Sequence, residues 1–190
     1  MFFKEIMRNR KNRIYFPRRD KKDKVVLLYK FPGASRKTLD LFKFRIYNWR
    51  VLRFAAENGI KGIEVKGNLD LRGTPIKELP EGLHVGGWLD LEGNPIEKLP
   101  EGLNVGLFLD LCGTQIKELP EGLHVGEWLN LEGTPIKELP RGLHVGGNLY
   151  LGTQIKDLPE VLHVGGNLYL YGTQIKELPE NLHVGGKIYR

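Results

Sequence analysis

From Gly67 onward the chain repeats one pattern of apolar and polar positions with a period of 20 residues. The units open at Gly67, Gly87, Leu107, Glu127, Gly147 and Gly166, and the first reads GNLDLRGTPIKELPEGLHVG. Only the fifth departs from the period: GNLYLGTQIKDLPEVLHVG has 19 residues, one position being lost between Leu151 and Gly152. Each unit supplies six aliphatic rows, shown in the first by Leu69, Leu71, Ile76, Leu79, Leu83 and Val85, and every unit fills them with Leu, Ile or Val. A unit this short cannot bury its apolar face alone, so the repeat predicts a solenoid in which each coil is covered by its neighbours. Full burial of one such side chain is worth roughly 1.5–3 kcal/mol before the cost of ordering it.

Within a unit, Leu69-Asp70-Leu71 alternates with a period of two, which predicts a short strand with one face inward. Gly73 and Thr74 turn the chain, and Pro75 and Pro80 bar a helix on the return leg. Leu83-His84-Val85 predicts a second short extended piece before Gly86 and Gly87 reset the coil. The predicted fold class is a repeat solenoid, mostly β, with extended and turn return legs.

The pattern Leu-x-Leu-x-x-Thr-x-Ile-x-x-Leu-Pro resembles the leucine-rich repeat, in its short class with a Leu-Pro pair that occurs in bacterial effectors and in bacterial and phage proteins. The resemblance covers residues 67–185. It departs in two respects. The family's Asn is Thr at Thr74, Thr114, Thr134, Thr153 and Thr173, with Asn only at Asn94, and Val85 precedes Leu89 by four residues where the family has three. These Thr hydroxyls are expected to bond the turn backbone, more weakly than Asn would. The resemblance implies that outward-pointing strand side chains form the binding surface. That face reads Asn68, Trp88, Phe108, Trp128, Asn148, Asn167 in one row and Asp70, Asp90, Asp110, Asn130, Tyr150, Tyr169 in the next. A third row holds Arg72, Glu92, Cys112, Glu132, a gap, and Tyr171. Aromatics flanked by carboxylates fit interface anchors, while cross-strand stacking that only stabilises the sheet is the alternative.

Other rows carry less chemistry. The histidines share one phase, at His84, His124, His144, His163 and His183, with Asn104 in the remaining slot. A His ladder of this kind is expected to charge unevenly near neutral pH, but no fixed Cys or carboxylate beside it makes a metal site, so none is predicted. Lys77-Glu78 and its relatives form a solvated face. Cys112 is the only cysteine, which excludes an intrachain disulfide, and Glu92 and Glu132 beside it disfavour a thiolate. No nucleophile–base constellation, phosphate-cradling loop or metal-ligand spacing is present in the sequence, so neither enzyme activity nor a cofactor is expected.

The charge divides sharply. Residues 1–66 hold 19 Lys and Arg against 6 Asp and Glu, whereas residues 67–190 hold 10 against 17. Residues 1–34 form a basic arm, with Arg8, Arg10, Lys11, Arg13, Arg18, Arg19, Lys21 and Lys22 at its centre and a short strand from Val25 to Phe31. Residues 35–66 predict a helix from Ser35 to Glu57 that caps the solenoid, followed by the half-repeat Gly62-Ile-Glu-Val-Lys-Gly67. Residues 67–190 are the six units plus a truncated seventh at Lys187-Ile188-Tyr189-Arg190, whose uncovered edge invites self-association. The arm fits a phosphate backbone, an acidic protein or, least well, an anionic membrane surface; a solvated tail is the alternative. The longest apolar run, Val25–Tyr29, is too short for a signal sequence or a membrane span. A cytoplasmic protein is therefore expected, with virion parts and effectors exported without a cleavable signal as exceptions.

The expected function is a non-enzymatic protein-binding module. Trp88, Phe108 and Trp128 serve as anchors, Asp70, Asp90 and Asp110 select a basic or polar partner, and Tyr150, Tyr169 and Tyr171 form a second sub-site. The alternative is a structural subunit of a larger assembly, a phage particle or nucleoprotein, whose basic arm contacts nucleic acid or an acidic neighbour.

Overall fold

The computed structural model describes Ile14–Tyr15, Val26–Leu27 and residues 48–190. From Glu64 the chain winds as a parallel β-solenoid with a short strand on each of two sides of every coil. The front sheet stacks Leu69–Asp70, Leu89–Asp90, Leu109–Asp110, Leu129–Asn130, Leu149–Tyr150, Leu168–Tyr169 and Ile188–Tyr189. The back sheet stacks Glu64–Val65, His84–Val85, Asn104–Val105, His124–Val125, His144–Val145, Leu162–Val164 and Leu182–Val184. Both are parallel and in register, so equivalent residues of successive units lie directly beside one another. The second extended piece read from Leu83-His84-Val85 is thus a full second sheet, and the half-repeat supplies its first strand, Glu64 opposite His84. Ile188–Tyr189 likewise continues the front sheet beside Leu168–Tyr169.

The core lies between the two sheets and is a set of aliphatic columns. The six rows are buried throughout the first five units; only Leu178, Leu182 and Val184 of the last unit are partly exposed. The return legs form no helix: every unit has a proline there that removes a backbone donor, and the first, second and fourth units have two. Gly73 and its equivalents Gly93, Gly113, Gly133 and Gly172 turn the chain at φ between 61° and 70°, a region costly for residues with a Cβ.

The Thr row does bond the turn: the hydroxyls of Thr74, Thr114, Thr134 and Thr173 each donate to the carbonyl three residues earlier, at 2.7–2.8 Å. Asn94 works differently, because its amide crosses to the preceding coil. Its Nδ2 donates to Leu71 O (3.0 Å), Thr74 O (2.9 Å) and Thr74 Oγ1 (3.0 Å), while its Oδ1 accepts from Ile96 N. Thr153 does not join the row. The shortened unit re-forms its turn one residue later, leaving Thr153 exposed, and Gly152 is buried against Leu131 O and Thr134 instead. A Cβ at Gly152 would sit 2.7 Å from Leu131 O, so only glycine fits this junction.

Ahead of the solenoid, Asn48–Glu57 is helical (α1) and ends at Gly59, whose φ is 64°. Leu52 and Ala55 are buried in the same core as the coils, and Trp49 packs against it. The earlier part of the helix expected from Ser35 lies outside the described residues. Val26–Leu27 pairs antiparallel with Ile14–Tyr15; the rest of the strand expected to Phe31 is outside the described residues too. So are Arg8, Arg10, Lys11, Arg13, Arg18, Arg19, Lys21 and Lys22 of the basic arm. No helix among the described residues is long and apolar enough to cross a membrane.

Candidate functional site: an aromatic stripe on the front sheet

On the front sheet, residues flanking each inward leucine point outward, and parallel register places like beside like. The rings of Trp88 and Phe108 stack at 5.5 Å between centroids, and those of Phe108 and Trp128 at 4.3 Å, each pair within 5° of parallel. Tyr150 stacks on Tyr169 at 4.4 Å and Tyr169 on Tyr189 at 4.9 Å. Trp128 meets Tyr150 edge-on at 6.2 Å, where the aromatic row shifts from one side of the inward leucine to the other. One stripe therefore runs diagonally from the second coil to Tyr189, with every member of it half-buried. Tyr171, 54% exposed, lies beside its far end, 6.1 Å from Tyr169 and 6.4 Å from Tyr189. Sequence reasoning separated the Trp and Tyr rows and left Tyr189 out. The signal for it was present, because Ile188-Tyr189 repeats the Leu168-Tyr169 pattern.

The sheet alternative accounts for part of this geometry, since cross-strand aromatic pairs stabilise by about 0.2–1 kcal/mol each. It leaves the ring edges unexplained. Among the described residues, the indole N–H groups of Trp88 and Trp128 have no hydrogen-bond partner, and no buried side-chain polar atom is left unsatisfied, so both N–H groups face solvent. Burial chiefly raises the Tyr150 phenol above its usual range, with Asn148 opposing the shift through a hydrogen bond and Tyr169 and Glu132 adding to it.

The carboxylates beside the stripe carry a structural load that the sequence did not reveal. Asp70, Asp90 and Asp110 each accept, through Oδ1, the backbone N–H two residues on, at 2.9–3.1 Å. Asn130 does the same for Glu132. Arg72 then bridges two coils, with Nη2 on Asp70 at 3.1 Å and Nε on Asp90 at 3.0 Å. Asp70 and Asp90 are therefore engaged by a cation of the chain itself. Asp110 has no ion pair among the described residues and lies beside Glu92 and Glu132, which makes it the carboxylate best placed for a basic partner. Burial chiefly, then Asp110, Glu92 and Glu132, pushes the Cys112 thiol up, so this cysteine stays protonated.

Asparagines shape the rest of the face. The Oδ1 of Asn68 accepts Trp88 N (3.2 Å), that of Asn148 accepts Asn167 N (2.8 Å), and that of Asn167 accepts Lys187 N (2.8 Å). In each case the amide lies against the Cα of the preceding glycine in the next coil, Gly87, Gly166 or Gly186, with no room for a Cβ. Where the row is aromatic, that next-coil position is free to be Leu107 or Glu127.

The His row lies on the back sheet. His124, His144, His163 and His183 stack at 5.7, 4.5 and 4.4 Å, with near-parallel rings. Among the described residues no group of three His, Cys, Asp or Glu is arranged to hold a metal ion. His163 is held below its usual pKa of 6.5, by loss of hydration first and then by His144 and His183. Its native form binds protons less readily than the unfolded chain, so its contribution is full above about pH 6.5 and is lost as pH falls below that value. His163→Asn, which copies Asn104 of the same row, is expected to flatten thermal stability between pH 7 and 5, as read by melting at each pH.

Against protein-family models, curated proteins and solved structures, the chain finds no match.

Proposed function

We propose that this chain is a non-enzymatic binding module of the leucine-rich-repeat kind, and that the front sheet takes a protein partner along the aromatic stripe. The observation that carries this reading is the stripe itself. Half-buried Trp, Phe and Tyr side chains run unbroken over six coils, with solvent-facing indole N–H groups and Asp110, Glu92 and Glu132 alongside. Large aromatics of limited flexibility with a polar rim are the usual anchors of protein interfaces. Trp88, Phe108 and Trp128 anchor, Asp110 selects positive charge, Asp90 and Asp70 shape the rim through Arg72, and Tyr150, Tyr169, Tyr171 and Tyr189 extend the site. Leu52 and Ala55 of α1 close the N-terminal end of the core in this reading.

A second reading rests on the charge split between residues 1–66 and 67–190: a structural subunit of a larger assembly, a phage particle or nucleoprotein, with the arm on nucleic acid or an acidic neighbour. The two separate in a capture experiment with the full chain. Trp88→Ala together with Trp128→Ala is expected to weaken partner capture at least tenfold, as removal of two interface anchors does, while deletion of residues 1–24 leaves it within about twofold. The opposite pattern, with binding that collapses as salt rises, makes the arm the functional element.

A further inference from the structure

We propose that the occupant of the stripe is a proline-rich segment in the polyproline II conformation, carrying Arg or Lys and lying along the solenoid axis; this rests on the strand-face reading above. The argument is one of pitch, exposed groups and charge. Coils of a parallel sheet repeat every ~4.8 Å, so equivalent side chains two coils apart are separated by about 9.6 Å. The ring stacks agree, with steps of 5.5 and 4.3 Å from Trp88 to Trp128 and of 4.4 and 4.9 Å from Tyr150 to Tyr189. A polyproline II chain rises about 3.1 Å per residue and repeats its face every three residues, or about 9.3 Å. Within each straight half of the stripe, Trp88 to Trp128 and Tyr150 to Tyr189, it stays in step to within about 0.3 Å over two coils. An extended strand shows the same face every ~6.7 Å, matching neither one coil nor two. A helix, at 5.4 Å per turn, drifts by roughly 1.2 Å over the same two coils.

The exposed chemistry selects the same ligand. Ring-on-ring stacking covers the faces of Phe108 and Tyr169 from both sides, so the stripe offers edges rather than stacking platforms. Those edges include the two solvent-facing indole N–H donors. A polyproline II segment has no internal hydrogen bonds, so its carbonyls accept from such donors, and its proline rings fill the gaps between aromatic edges at little entropic cost. Carboxylates lie only at the Trp half, where Arg72 engages Asp70 and Asp90 and Asp110, Glu92 and Glu132 remain for a ligand, whereas the Tyr half is flanked by Asn148 and Asn167. The basic residue of the ligand therefore sits over Asp110 and its prolines extend toward Tyr189.

Two measurements on the full chain test this. In the first, a random twelve-residue peptide library on phage is selected against the protein and counter-selected against Trp128→Asn. That substitution fits the fold, since Asn in this row is followed in the next coil by glycine and Gly147 is already there. In the second, anisotropy is followed for a fluorescein-labelled nonapeptide with proline at every third position and an arginine at each end, beside a version with glycine for proline. Expected are selected peptides with proline at three-residue spacing and a basic residue. The labelled peptide should bind, the glycine version at least about tenfold more weakly, and Asp110→Asn should weaken binding about two- to fivefold. Asp110→Asn keeps the backbone hydrogen bond, as Asn130 does, and removes only the charge. Trp-dependent peptides without proline spacing, with no binding of the nonapeptide, overturn the proline-rich assignment and leave the strand face a binding site. Selection of no Trp-dependent peptide, with no binding, overturns both.

Discussion

Gly126→Ala is expected to lower the midpoint of thermal unfolding by roughly 6–12 °C, from a loss of about 3 kcal/mol. The reason is a backbone-to-backbone contact that runs the length of the solenoid. After each back-sheet strand the chain passes through Gly86, Gly106, Gly126, Gly146, Gly165 and Gly185, each donating its N–H to the preceding coil, Gly126 to Val105 O at 2.9 Å. A Cβ at Gly126 would overlap the Gly106 carbonyl oxygen, and even at Gly86, the loosest of the row, it would lie 2.7 Å from Lys66 O. Neither neighbour is the end of a flexible side chain, so two coils must separate and the hydrogen bond lengthens. Glu127→Ala, one residue on, is the control: that position already holds Leu107 and Glu127 in successive coils and is expected to change stability by less than about 0.5 kcal/mol. Equal melting of Gly126→Ala and wild type would remove the close-approach argument.

Leu109→Ala is expected to cost about 2–5 kcal/mol, in denaturant unfolding read as a lower midpoint. Leu109 is fully buried and sits between Leu89 and Leu129 in register, so the cavity opens into coils on both sides, where the rigid backbone cannot collapse into it. In a solenoid each coil touches only its neighbours, so weakening a central contact also uncouples the halves. Leu182→Ala, in the last unit and partly exposed already, is expected to cost less than half as much. Equal costs at the two sites would contradict the nearest-neighbour picture.

These contrasts show which parts of the structure were legible in one sequence. The core was, because Leu69, Leu71, Ile76, Leu79, Leu83 and Val85 recur in every unit and each row reports its own burial. The back sheet was half legible: Leu83-His84-Val85 alternates like a strand, but a three-residue alternation does not say whether it finds partners. Interactions between coils were the hidden part. That Asn148 needs Gly166, that Asn94 bonds Leu71 and Thr74, and that Arg72 holds Asp70 and Asp90 together become visible only when residues about 20 apart are brought into contact. The acidic row is a case of this kind. Asp70 and Asp90 look like free charges in the sequence, yet their carboxylates support the following backbone and an arginine. Thr153 was misplaced because a repeat alignment fixes which residue type is lost, not where the chain re-forms its turn.

Side-chain oxidation by hydroxyl radicals, with and without the captured partner, tests the central claim most directly, since indole, phenol and imidazole groups all react. The front sheet carries Trp88, Trp128, Tyr150, Tyr169 and Tyr189, and the back sheet carries His84, His124, His144 and His183 as an internal reference. The expected result is partner-dependent protection of Trp88 and Trp128, extending toward the tyrosines, with the histidines oxidised as before. Protection of the His row, or unchanged oxidation of both tryptophans in the complex, would contradict the assignment of the aromatic stripe as the binding surface.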